Sequence, residues 1–101
     1  AKPVLSNRTG GLSGPALKPI ALRCVYEIAQ AVSVPIIGTG GLSSGIDAAE
    51  MLMAGATLVG IGSAVINDGP SVFSRICTEL ATFMKDNGYA QLGDVRGKAL
   101  T

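Results

Sequence analysis

The sequence alternates short apolar runs with longer amphipathic stretches, and this alternation restricts the fold more than any other feature. After a short strand at Val4-Leu5, apolar residues recur at helical spacing from about residue 16 to 33. Strand-length apolar runs follow at 34–38 and 58–62, and helical patterns come after them. Short buried strands that alternate with helices indicate a parallel sheet built from βα units.

Capping and stop residues predict where the later helices begin and end. Ser44 is placed to cap a helix that stops before Gly55, and a further helix is expected from Ser71 to Asn87, with Gly88 as its stop. The core face of the helix after Ser44 is expected to comprise Ile46, Ala49, Leu52 and Met53.

The length of the chain limits how much of a closed fold it can supply. It has 101 residues, whereas an eight-stranded βα barrel takes roughly 250. Three parallel strands would leave open sheet edges. The sequence therefore predicts part of a barrel, or an assembly in which another chain completes the sheet.

Composition excludes several classes of function. The net charge is +1 and Lys and Arg form no cluster, which argues against a nucleic-acid interface. With no His, and with Asp47 and Glu50 lacking a third ligand, we expect no metal site. No apolar run reaches the roughly 20 residues that span a bilayer, so no membrane segment is expected. Cys24 and Cys77 are predicted to be reduced core residues of a cytosolic protein.

Three glycine-rich loops lie where strands end and helices begin, at residues 9–14, 38–45 and 60–63. The sequence TGGLS at 9–13 recurs at 39–43, one βα unit later. Glycine lets the backbone approach a ligand closely, and free N–H groups at helix starts attract anions. One such loop is usually only a tight turn, but three at the same edge favour phosphate binding. Glycosyl or nucleotide recognition remains open.

The motifs TGGLSGPALKPIALR at 9–23, PIIGTGG at 35–41 and VGIGSA at 59–64 occur in order. Together they resemble the dihydroorotate dehydrogenase family, and most closely its class 1 enzymes whose catalytic subunit pairs with an iron–sulfur flavoprotein subunit. The resemblance implies an α/β fold: the C-terminal βα units of a TIM (β/α)8 barrel, incomplete in this chain. Residues 1–101 would form the C-terminal segment of a single FMN-binding barrel domain.

The same resemblance implies a function and a site. The family oxidises dihydroorotate to orotate in pyrimidine biosynthesis, in the cytoplasm, with FMN as cofactor. Contacts to the flavin, mainly to its phosphate, map onto Gly14, Gly40, Gly41, Gly62 and Ser63. Nothing in the sequence matches the family's catalytic base, so no catalytic residue is assigned and the segment alone is expected to be inactive.

Two other functions fit the same residues. A non-catalytic half-barrel could bind a phosphorylated ligand and assemble with a second copy of itself, or with another chain, through its open strand edges. A related FMN barrel could act on pyrimidine bases, since the residues that would read the substrate lie outside this sequence.

Overall fold

The computed structural model describes residues 11–100, in which two short parallel strands are packed against helices. The elements in chain order are a 3-10 turn at Pro15–Leu17, α1 (Lys18–Ala31), β1 (Ile37–Thr39), α2 (Gly45–Met53), β2 (Leu58–Gly60), α3 (Ser63–Asp68), α4 (Val72–Asp86), α5 (Leu92–Val95) and a 3-10 turn at Lys98–Leu100. The predicted alternation of strands and helices is therefore confirmed from α1 onward. The strand predicted at Val4-Leu5 lies outside the described residues.

The two strands pair in parallel, with Ile37 opposite Leu58 and Gly38 opposite Val59. Parallel neighbours need a crossover connection, and α2 provides it. Gly38 is the buried residue of β1, and a Cβ there would overlap the Met51 side chain of α2. Ile37 and Leu58 lie on the opposite face of the sheet and are 69% and 57% exposed. One face of the sheet therefore packs against helices, and the other is uncovered by residues 11–100.

Two apolar clusters form the core, and α2 contributes to both. The first lies between α1, α2 and the sheet and consists of Val25, Leu42, Met51, Ala54 and Ala56. The second joins α2 to α3 and α4 and consists of Ala48, Ala64, Val72 and Ile76. Burial of these apolar side chains stabilises the packing of α2 against its neighbours on both sides. The position of α2 therefore fixes the positions of those neighbours.

The predicted core face of α2 was only half right. Ala49 and Leu52 are buried, but Ile46 is 58% exposed, and Ala48 and Met51 are buried in addition. The reason is that α2 packs between the sheet on one side and α4 on the other. Its buried arc is therefore wider than a single amphipathic stripe and is rotated away from Ile46.

The core location predicted for the cysteines was wrong. Cys24 and Cys77 are both exposed free thiols. On α1 only Val25 is buried, while Ile20 and Ile28 are 59% and 47% exposed. The apolar stripe of α1 is wider than its contact with the described elements, so Cys24 lies on the uncovered part of that stripe.

The C-terminal residues fold back onto α2 and the start of β2. Val95 is fully buried, Arg96 Nε donates a hydrogen bond to Thr57 O at 2.9 Å, and Gly97 N–H donates to Leu52 O at 2.9 Å. These contacts hold the end of the sheet opposite to the one where the glycine-rich loops lie.

Candidate functional site

The glycine-rich loops meet around one open cavity of about 400 Å³ at the carboxyl ends of β1 and β2. The lining residues are Ser13, Gly14, Pro15, Leu17, Thr39, Gly40, Gly41, Leu42, Ser43, Gly60, Gly62, Ser63, Ala64, Asn67 and Asp68. All five residues predicted as flavin contacts are among them: Gly14, Gly40, Gly41, Gly62 and Ser63. The structure therefore brings together residues from three separate loops.

The first two loops touch at Gly41. Its φ is +71°, a left-handed backbone conformation that favours glycine. A Cβ at Gly41 would lie 2.5 Å from Lys18 N and 2.8 Å from Gly14 O, so no larger residue fits there unless the backbone shifts. This close approach sets one wall of the cavity.

Other glycines leave space in the cavity that residues 11–100 do not fill. A Cβ added at Gly14 or Gly62 would meet no atom of these residues within 4 Å. At Gly62 the φ is −121°, outside the left-handed region, so positive φ does not account for glycine at this position. A ligand group that approaches the backbone closely would occupy this space. Open space beside glycine backbone is compatible with a small anionic group such as a phosphate.

The polar groups of the cavity are backbone amides and hydroxyls. None of the described lining residues is Lys or Arg, and Asp68 is the one that carries a charge. Ser63 and Ala64 begin α3, and the N–H groups of a first helical turn have no acceptor within the helix. An anion in this cavity would therefore be held by neutral donors, so the net charge of only +1 is no objection to anion binding.

Asp47 and Lys18 form a charged pair next to the cavity. Lys18 Nζ lies 2.7 Å from Asp47 Oδ1 and 3.3 Å from Glu50 Oε1. The hydrogen bond to Asp47 raises the pKa of Lys18 above its ordinary value. Burial acts to raise the pKa of Asp47, but hydrogen bonds from Lys18 and Ser43 outweigh it, and the pKa of Asp47 is lowered. The Lys18 side chain is only partly exposed, because α2 brings Asp47 to it.

Across residues 11–100, no group of three or more Cys, Asp or Glu side chains is arranged to hold a metal ion. In the same range, no helix is both long enough and apolar enough to cross a membrane.

Comparison with known proteins identifies the family. The family model described as dihydroorotate dehydrogenase matches residues 1–84. The chain belongs to the dihydroorotate dehydrogenase family. The resemblance inferred from the loop motifs is thereby confirmed.

Curated dihydroorotate dehydrogenases match almost the whole chain. The catalytic subunit of dihydroorotate dehydrogenase B (NAD(+)) from Methanothermobacter thermautotrophicus is 48% identical over 98% of this chain and 33% of its own length. The subunit of the same name from Geobacter sulfurreducens is 50% identical over 95% of this chain and 31% of its own length. The chain spans about a third of the length of these relatives.

Solved structures of the family share the fold. The crystal structure of DHODH from Eimeria tenella in complex with ferulenol has a TM-score of 0.85 and 34% identity, over 91% of this chain and 25% of that chain. The ligand-free structure from the same organism matches equally well, with a TM-score of 0.85. The predicted fold class, α/β with βα units of an incomplete TIM barrel, is confirmed.

Proposed function

We propose that residues 1–101 are the C-terminal segment of a single FMN-binding βα-barrel domain, and that this segment holds the phosphate of FMN in a dihydroorotate dehydrogenase. One observation carries the proposal: Gly14, Gly40, Gly41, Gly62 and Ser63, taken from three separate loops, line the same cavity. Membership of a flavin-dependent family adds to it.

The residues of the segment would bind and orient rather than react. Backbone amides of the glycine loops and the Ser63 hydroxyl are the donors for the phosphate, and the open backbone at Gly62 gives it room. FMN, when bound, supplies the hydride acceptor for oxidation of dihydroorotate to orotate in pyrimidine biosynthesis. No side chain of the segment is assigned as the base, so the segment alone is inactive.

The rest of the barrel would complete the fold. Ile37 and Leu58 form an exposed apolar face on the sheet, opposite to the face that packs against the helices. Burying this face against further strands would stabilise the segment by the hydrophobic effect. The remainder of the barrel is thus the first partner that the segment requires.

A further subunit is also proposed. The two curated relatives described above are named catalytic subunits, a name that implies at least one other subunit. We propose that the complete protein pairs in the same way with an iron–sulfur flavoprotein subunit that accepts its electrons. A cytoplasmic location is part of the same proposal.

The test uses the intact protein that contains this segment. Purified protein is expected to contain FMN and to reduce a dye when dihydroorotate is added. The side chain of Gly62→Val would fill the cavity beside residue 62 and lower FMN affinity at least about tenfold, which is about 1.4 kcal/mol of binding free energy. Gly93→Val is the matched control, because Gly93 is exposed, lies in α5 away from the cavity and has no described residue within 4 Å of an added Cβ.

The outcomes separate the two parts of the proposal. Folded, FMN-loaded wild-type protein that does not reduce the dye would contradict the enzymatic part. Gly62→Val protein that binds FMN as tightly as the Gly93→Val control would contradict the placement of the phosphate.

A further inference from the structure

Both backbone polar groups of Ser43 are hydrogen-bonded to charged side chains. Its N–H donates a hydrogen bond to Asp47 Oδ2 at 3.0 Å, and its hydroxyl reaches the same oxygen at 3.2 Å. Its carbonyl oxygen accepts a hydrogen bond from Arg75 Nη2 at 2.7 Å. Ser43 lines the cavity and follows directly on Gly40, Gly41 and Leu42 in the second glycine-rich loop.

The Asp47 carboxylate that binds Ser43 is itself held at the starts of two helices. Asp47 lies in the first turn of α2, where its own N–H donates to Ser44 Oγ at 3.1 Å. Its other carboxylate oxygen pairs with Lys18 Nζ at 2.7 Å, and Lys18 begins α1. The carboxylate therefore links the loop to the starts of both helices.

The Arg75 guanidinium also contacts two carboxylates, those of Asp68 and Glu79. Besides the Ser43 carbonyl, Arg75 Nη2 lies 3.3 Å from Asp68 Oδ2, at the end of α3. Arg75 Nη1 lies 3.2 Å from Glu79 Oε1, which accepts a hydrogen bond from Gly45 N–H at 2.8 Å. One guanidinium thus connects α4 to the second loop and to α3, both of which line the cavity.

These hydrogen bonds to Ser43 matter because the loop that they hold contains adjacent glycines, whose backbone has wide conformational freedom. Gly40 and Gly41 have φ of +133° and +71°, and glycine loses more conformational freedom on ordering than any other residue. Hydrogen bonds to charged groups are stronger than neutral ones. Fixing the loop before a ligand arrives removes an entropy cost from binding.

We propose that Asp47 and Arg75 are positioning residues that clamp the backbone N–H and C=O of Ser43 and hold the Gly40–Leu42 backbone in the shape that receives a phosphate. Neither side chain is part of the cavity lining, so both act through the loop. The inference rests on the proposed function for the identity of the ligand, but the claim that the clamp orders the loop is independent of it.

The test compares Arg75→Met with Arg23→Met in the intact protein. Both changes remove one positive charge, but Arg23 is 81% exposed and pairs only locally with Glu27, away from the cavity. Amide hydrogen exchange is measured for residues 39–44, and dissociation constants are measured for FMN and for riboflavin, which lacks the phosphate. Arg75→Met is expected to speed exchange in 39–44 and to weaken FMN binding about tenfold, with riboflavin binding changed less than twofold.

Two results for Arg75→Met would overturn the proposed role of Arg75. Wild-type exchange rates and FMN affinity in Arg75→Met would overturn the proposal. An equal loss of FMN and riboflavin binding would also overturn it, because it would reveal general support of the fold. If wild-type protein does not distinguish FMN from riboflavin, the phosphate site proposed above fails, and the exchange rates alone then decide whether the clamp exists.

A second variant keeps the test decisive should Arg75→Met fail to fold. Asp47→Asn preserves the shape of the side chain and one acceptor but removes the charge that binds Lys18. It is expected to change the same two readouts in the same direction, by a smaller factor. Glu27→Gln is its matched control, because Glu27 is an exposed acidic residue of α1. Asp47→Asn that matches this control in both readouts would overturn the role of Asp47.

Discussion

Replacing Gly41 with alanine is expected to destabilise the protein and to displace the first two cavity loops from each other. The Cβ would lie 2.5 Å from Lys18 N and 2.8 Å from Gly14 O, which are both backbone atoms. Backbone cannot rotate away as a flexible side chain can. One loop would therefore have to move.

Two costs combine in this variant. An L-residue in the left-handed region costs roughly 1–2 kcal/mol, and overpacking costs typically about 1–3 kcal/mol. The free energy of unfolding is therefore expected to fall by about 2–5 kcal/mol. Gly88→Ala separates the two costs, because Gly88 has a φ of +76°, close to the +71° of Gly41, and the described part of the chain places no atom within 4 Å of the added Cβ.

The assay is urea unfolding of both variants in the intact protein, together with the amount of FMN each retains. Gly88→Ala is expected to lose only the conformational cost and to keep its FMN. Gly41→Ala is expected to lose more stability and to release FMN. If the two variants unfold at the same urea concentration and retain equal FMN, the contact between the loops does not have the role assigned to it.

Two further predictions concern the helices beside the cavity. In Gly45→Ala the new Cβ would overlap the backbone of α4 at Glu79, and the free energy of unfolding measured in urea is expected to fall by about 1–3 kcal/mol. Gly93→Ala is the control: its new Cβ would contact no described residue, and the change is expected to be neutral or stabilising. An unchanged midpoint for Gly45→Ala would contradict the close packing of α2 on α4. Burial acts to raise the pKa of Asp47, but hydrogen bonds from Lys18 and Ser43 lower it below its ordinary value in the folded protein. Its pairing with Lys18 therefore stabilises the fold above the ordinary pKa of an aspartate, and this contribution is lost as pH falls through the lower folded value. Asp47→Asn is therefore expected to unfold more easily than wild type at pH 7, by about 1–2 kcal/mol, with the difference shrinking in acid; a difference that stays constant down to about pH 2 would contradict this linkage.

Local signals in the sequence were enough to place most elements. Ser44 caps α2 through a hydrogen bond from Asp47 N–H, as its position predicted, and Gly55 follows the helix with a φ of +120°. Gly88 ends the helical region of α4 with a φ of +76°. These features depend on residues within a few positions of one another, which is why the sequence alone reveals them.

The meeting of the glycine loops was predictable for a topological reason. The carboxyl ends of parallel strands lie at one edge of a sheet, so loops that follow successive strands become neighbours. The five expected contact residues accordingly line one cavity. Their contact with FMN stays a prediction.

The contacts that support the loops could not be predicted. Lys18 and Asp47 are 29 positions apart, and Arg75 and Ser43 are 32 positions apart. Such pairs depend on how α1 and α4 are rotated against α2, and hydrophobic periodicity fixes that rotation only coarsely. The same uncertainty explains why Ile46 was expected in the core and lies exposed.

Titration of the flavin-free intact protein with FMN and with riboflavin, followed by flavin fluorescence, tests the central claim most directly. The two ligands share the ring system and differ in the phosphate, so the difference in affinity reports on the phosphate cavity alone. We expect FMN to bind at least about tenfold more tightly than riboflavin, and we expect this preference to disappear in Gly62→Val. Equal affinities for FMN and riboflavin in the wild-type protein would contradict the account.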